Sequence, residues 1–197
     1  MKKLSWLLLA LAIAGAGSWL FLSERGDEGP YPGMGGDFTL RSAAGPVSLS
    51  DFRGKVVLIY FGYTSCPDVC PTSLGALSAA LKQLSPQEMA RIQPIFISVD
   101  PERDTPAKIV EYVHYFHPKM IGVTGSLAEV REIADRYGAY FRKAEVENSA
   151  LGYAVDHSSV IYVVDEKGRL VDMIQHSGSP QAILEHLRRV LETHSPE

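Results

Sequence analysis

The chain has 197 residues, of which 46% are hydrophobic and 21% charged, with a formal net charge of −4. That length and mix fit one globular domain with a real core. An acidic balance leaves no basic footprint for nucleic acid, and two cysteines close one bridge at most, so a disulfide-stapled scaffold is excluded as well.

After Lys2 and Lys3 the stretch LSWLLLALAIAGAGSWLFL, Leu4 to Leu22, carries no charge and has about the length a helix needs to cross a bilayer. Lysines before it and SERGDE after it favour a cytoplasmic N-terminus and an exported remainder. Ala14-Gly15-Ala16 would suit signal-peptide cleavage, but the apolar run continues through Trp19 to Leu22, which favours an uncleaved anchor over residues 1–23. The expected location is a bacterial inner membrane, crossed once, with the C-terminal part facing the periplasm or exterior, where disulfides persist. Residues 24–36 are rich in Gly and Pro and read as a flexible linker, which leaves 37–197 as the domain.

DFTL and PVSLS suggest two short strands, and KVVLIYFGY (55–63) a strand buried on both faces. Pro71 suits the first turn of a helix whose stripe is Leu74, Leu77, Leu81 and Leu84. IQPIFISVD (92–100) is the next strand. Asp104 or Thr105 is placed to cap a helix opened by Pro106, with Ile109, Val113 and Phe116 inward and Pro118 as its stop. A short strand in MIGVTG precedes a helix with a Ser126/Glu129 capping box and an end at Gly138. AYFRKAEV suggests a strand, HSSVIYVVDEKGRLVDMIQ a hairpin turning at Asp165 to Gly168, and Ser179-Pro180 the start of a last helix. This order predicts an α/β fold with a central mixed sheet flanked by helices. With a cysteine pair at the first strand-to-helix junction, it resembles the thioredoxin-like fold.

That pair, Cys66 and Cys70 in CPDVC, lies where unpaired helix N–H groups favour thiolate. Thiolate serves both a reversible disulfide and metal ligation, and the pair alone leaves both open. Structural zinc takes four protein ligands and iron–sulfur clusters usually four cysteines, so two thiolates with one imidazole would point to copper. Six histidines are available. His186 and His194 belong to the terminal helix region, His176 follows the hairpin, and His114 and His117 sit near a helix C-terminus. His157, in VDHSSVIYVV, is expected in a loop facing the cysteine turn, either as a ligand or as a hydrogen-bonded loop histidine.

Three blocks in order, YFGYTSCPDVCPTSL (60–74), SVDPERDTP (98–106) and DHSSVIYVVD (156–165), resemble the Sco/SenC copper chaperones. The resemblance covers the chain from about residue 37 onward. It implies that Cys66, Cys70 and His157 bind one copper ion, as Cu(I) or also Cu(II). It implies delivery to, or preparation of, the binuclear copper centre of cytochrome c oxidase subunit II, which makes the protein a metallochaperone and not an enzyme. It also implies a redox disulfide between Cys66 and Cys70, and partners that supply copper or reduce thiols. Asp156 and Asp68 are candidates for supporting the ligands, while Asp100 stays outside the ligand set. The competing function is an exported thiol-disulfide oxidoreductase. Thioredoxins, however, carry C-x-x-C and a cis-proline, whereas the spacing here is one longer and no proline occurs between Pro118 and Pro180.

Overall fold

The computed structural model describes residues 29–145, 152–175 and 179–193. The proposed anchor, the first part of the linker, His176 and His194 lie outside the described residues. No helix among the described residues is long and apolar enough to cross a membrane.

A β1–β2 hairpin (Thr39–Ser42, Gly45–Ser48) opens the domain and runs into a 3-10 turn, Leu49–Phe52. Next come β3 (Val56–Gly62), α1 (Val69–Leu81), a short α2 (Pro86–Ala90), β4 (Ile92–Ser98), α3 (Pro106–Phe116), β5 (Ile121–Val123) and α4 (Leu127–Tyr137). The chain continues through β6 (Phe141–Glu145), β7 (Tyr153–His157), β8 (Val160–Val164), β9 (Leu170–Gln175) and α5 (Pro180–Thr193).

The central sheet has five strands in the order β5-β4-β3-β8-β9. β3 is parallel to β4 and β4 to β5, whereas β8 is antiparallel to β3 and to β9. β3 and β4 are buried at every residue, as their unbroken apolar runs require of strands covered on both faces. Alternation along β3 sends Tyr60 to one face and Phe61 to the other. Tyr60 stacks on Phe96, which meets Tyr112 of α3, on the face shared with α1. Phe61 meets Tyr137 of α4 and Tyr162 of β8 on the opposite face. This is the expected mixed sheet flanked by helices, in thioredoxin-like form.

The predicted helix ends fall close to the observed ones. Ser126 and Glu129 form their capping box and Gly138 ends α4 in the left-handed region at φ 67°. Three details differ from expectation. Leu84 lies beyond the end of α1, and α2 was not foreseen. Of the two expected caps of α3, Thr105 takes the position as foreseen, because the Asp104 carboxylate is buried and otherwise engaged. Residues 29–36 are not a flexible linker. Gly35 donates to the Arg136 carbonyl at 2.8 Å and bridges to Arg169, and the Tyr137 hydroxyl donates to the Gly36 carbonyl at 3.0 Å. Their glycines supply positive φ for a folded strap, so Gly content here signals shape and not slack.

Two other glycines give opposite expectations. A Cβ on Gly122 in β5 would lie 2.3 Å from Ile109 Cγ2, whereas a Cβ on Gly75 in α1 meets nothing within 4 Å. In urea denaturation, Gly122→Ala should lower stability by about 1–3 kcal/mol through overpacking. Gly75→Ala should raise it by about 0.5–1 kcal/mol through helix propensity. Equal effects of one sign would contradict the packing described.

Candidate metal centre

The site forms where β3 ends and α1 begins. Cys66 stands in the loop between them, its amide bonded to the Tyr63 carbonyl at 3.2 Å, and Cys70 lies in the first helical turn. The Cys70 amide donates to Cys66 Sγ at 3.5 Å. Helix-end N–H groups thus face the Cys66 sulfur, where they stabilise negative charge. Cys70 is fully buried and Cys66 is 8% exposed. Both are free thiols. Gly62 leaves room for Cys70: a Cβ there would lie 2.8 Å from its sulfur, 2.9 Å from Phe96 and 3.0 Å from Tyr60.

His157 closes the site from the other side. It ends β7, which pairs only with β6 among the described residues, in a two-stranded ribbon outside the central sheet. The expectation of a loop position is therefore corrected. β7 and β8 are separate strands in separate sheets, with His157 the last residue of β7. Nε2 of His157 lies 3.1 Å from Cys70 Sγ and 4.0 Å from Cys66 Sγ. Nδ1 lies 3.1 Å from the Ser158 carbonyl. A carbonyl only accepts, so Nδ1 carries the proton and the Nε2 lone pair is left for the sulfurs or an ion between them. The rings of Tyr60 and Tyr63 stand edge-on to the imidazole at 6.1 and 5.8 Å.

The three donor atoms lie within 4.8 Å of one another. Three ligands at bond lengths of about 2.0–2.3 Å around one ion sit roughly 3.8–4.0 Å apart. The Cys66–His157 spacing already matches, and the Cys70–His157 spacing needs the ring to withdraw by less than an ångström. Two sulfurs and one imidazole make a soft donor set that suits copper.

The two thiols are unequal. A hydrogen bond from Cys70 pulls the Cys66 thiol far below its ordinary range; burial opposes this, and His157 and the amides of Asp68 and Cys70 assist. Burial, then the hydrogen bond to Cys66 and the charge on it, pushes Cys70 upward. The metal-free site is thus a thiolate held by a neighbouring thiol. It opens into a cleft of about 340 Å³ bordered by Pro67, Val69, Ala154 and Ser159.

Asp68 supports Cys66 through its backbone and not its carboxylate, and the Asp156 side chain does not face the site. Asp68 occupies the N-cap position of α1 without a side-chain cap bond and contributes through its amide. Asp156 is exposed, 3.6 Å from Arg142, its partner across the ribbon. Strand alternation points it away from His157. The His117 ring takes the Lys119 amide at 3.2 Å, and His186 pairs with Asp172 at 2.7 Å. Neither joins the cluster.

Sequence reasoning missed how the second block serves the site. The buried Asp104 carboxylate accepts from the Thr64 amide at 2.8 Å, the Thr64 hydroxyl at 2.5 Å and the Ser98 hydroxyl at 2.7 Å. It thereby fixes the loop that carries Cys66. Two acids four apart, just past a buried strand, were the available signal.

A family model described as SCO1/SenC matches residues 27–192. A SCO2-like protein of Rickettsia conorii is 35% identical over 92% of this chain and 94% of its own length. The structure of Arabidopsis thaliana ScoI with copper bound is 37% identical, with a TM-score of 0.76, and the match covers 82% of this chain and 99% of that one. Bradyrhizobium japonicum ScoI with copper bound is 38% identical at a TM-score of 0.71, over 80% of this chain and 99% of the other.

The inequality of the thiols has a direct readout in the reduced, metal-free protein. A depressed pKa keeps Cys66 as thiolate at pH values where an ordinary cysteine, with a pKa of about 8.5, is protonated. Iodoacetamide should therefore label Cys66 at about pH 6 nearly as fast as at pH 8, where an ordinary thiol would slow roughly 50–100-fold. Mass spectrometry should find Cys70 unlabelled throughout. A normal pH–rate curve for Cys66 would contradict the arrangement.

Proposed function

The chain belongs to the SCO1/SenC family, and we propose that it is a membrane-anchored copper chaperone. The observation that carries this is the convergence of Cys66 Sγ, Cys70 Sγ and His157 Nε2 on one point beside an open cleft. The relatives solved with copper bound support it. On this proposal residues 1–23 anchor the chain in a bacterial inner membrane and the domain faces the periplasm. The recipient is cytochrome c oxidase subunit II, at its binuclear copper centre.

Each donor has a part in loading and release. Cys66, already a thiolate at the cleft, takes the incoming ion first. Cys70 then loses its proton, made acidic by the arriving charge, and the Nε2 lone pair completes the set. Release runs by exchange, with a recipient's thiolates replacing these donors one at a time. Cu(I) is the form this soft set favours, and the imidazole lets the site hold Cu(II) as well. Oxidation of the pair to a disulfide removes both sulfur donors, so redox state gates loading.

The unequal thiols also favour a second reading, a thiol-disulfide oxidoreductase acting on a partner's cysteines. The Cys66 thiolate would attack the partner disulfide and release one partner thiolate. Cys70 would then displace the other, leaving a Cys66–Cys70 disulfide. That pair would need two electrons from a thiol-reducing partner to act again.

With the reduced full-length chain loaded anaerobically, metal analysis should find about one copper per chain, as three donors around one ion require. Cys66→Ser, Cys70→Ser and His157→Ala should each weaken Cu(I) binding by more than the roughly 10–100-fold typical of losing a supporting group. If His157→Ala keeps full affinity while the wild type reduces insulin disulfides briskly, the oxidoreductase reading replaces this one.

A further inference from the structure

Among the described residues the ribbon β6–β7 shares no strand pairing with the central sheet; His157 stands at its root, paired with Phe141, and side-chain ties hold the far end that sets the ribbon's tilt. Those ties gather on one residue. Arg103 Nε donates to Asp100 Oδ2 at 2.5 Å, and its Nη1 donates to the Tyr153 carbonyl at 2.9 Å. Its guanidinium lies 3.6 Å from the centre of the Tyr153 ring and 5.6 Å from that of Tyr63. The Tyr153 hydroxyl donates to the other oxygen of Asp100 at 2.7 Å. The Asp100 side chain has no exposure and both its oxygens are engaged. A second tie, Lys143 to Glu102 at 2.5 Å, holds the same end of the ribbon to the same segment.

Tyr153 and His157 lie on one face of β7, four residues apart, or about 13 Å along a strand. Tyr63 stands between Arg103 and the imidazole. Arg103 therefore touches both segments that carry ligands. The same short stretch reaches the cysteine loop through Asp104 and Thr64.

We infer that Arg103, clamped by Asp100 onto Tyr153, is a positioning residue that holds the histidine ribbon in reach of the cysteine pair. The inference rests on the proposed copper ligation by His157. A planar, charged fork with a ring face on each side suits this post better than an ammonium would. Loss of the clamp loosens the Tyr153 end and lets the ribbon twist about its root, where His157 pairs with Phe141, turning the imidazole off the sulfurs.

The test compares the full chain, Arg103→Met, His157→Ala and the double variant. Cu(I) affinity is measured by competition with a chromophoric chelator, and amide hydrogen exchange is measured without metal. Arg103→Met should weaken copper about 10–100-fold in the wild-type background and less than about 2-fold when His157 is already alanine. The β7 amides should exchange faster in Arg103→Met while those of β3 and β4 keep their protection. Tyr153→Phe, which removes only one hydroxyl, should shift both readouts in the same direction and serves if Arg103→Met does not fold. Equal copper loss in both backgrounds, or unchanged affinity where His157→Ala itself weakens binding, overturns the inference. If His157→Ala leaves affinity intact, the ligand assignment is what fails. Hydrogen exchange alone then decides the clamp, and unchanged β7 protection overturns it.

Discussion

One contact organises the molecule: the imidazole of His157 against the sulfur of Cys70, 3.1 Å apart. It joins a helix start packed beneath the central sheet to a ribbon that is not part of that sheet. Neither side moves freely. Cys70 is wedged against bare backbone at Gly62, so its sulfur is set by the fully buried β3 main chain. His157 has its far nitrogen on a carbonyl and tyrosine rings at its edges. The donors are in place before any ion arrives, which spares the ordering cost that binding would otherwise incur.

Burial gives the site its electrical character. Two thiolates a few ångströms apart in a dry pocket repel strongly, so without metal one proton stays between them. A monovalent cation substitutes for that proton with little net change in charge, and it can leave as readily when other thiolates compete. A deep, fully enclosed cage would bind harder and release more slowly. Cys66 at the cleft keeps one edge of the site within reach of a partner.

Much of this was legible in the chain. β3 and β4 follow from unbroken apolar runs, α1 and α3 from their stripes and prolines, and the last hairpin from its Asp-to-Gly turn. The cysteine and histidine blocks drew attention to the three residues that the fold brings together. The ribbon was harder to see, because five alternating residues ending in DH lack a turn signal before β8. Asp156 misled through adjacency: neighbours along a strand face opposite ways, so the residue beside His157 in sequence is turned from it in space. Asp100, Arg103 and Asp104 were visible as a block. Their task depends on Tyr153 and Thr64, each some 40 to 50 residues away, and no local pattern links them.

The strap at residues 29–36 sets a direction. It joins the domain beside Arg169 and Leu170, at the edge where β8 turns into β9. Val164, next to that turn, pairs with Val57 at the beginning of β3, whereas the cleft beside Cys66 lies past the end of β3. The chain therefore enters at one pole of the sheet and its donors sit at the other, about 20 Å away along the strand. Under the proposed anchoring, residues 24–28 alone separate the anchor from the docked strap, and the donors lie at the pole of the sheet away from that attachment. A recipient in the same membrane would have to present its thiols at that height, by rising to it or by tilting the domain down.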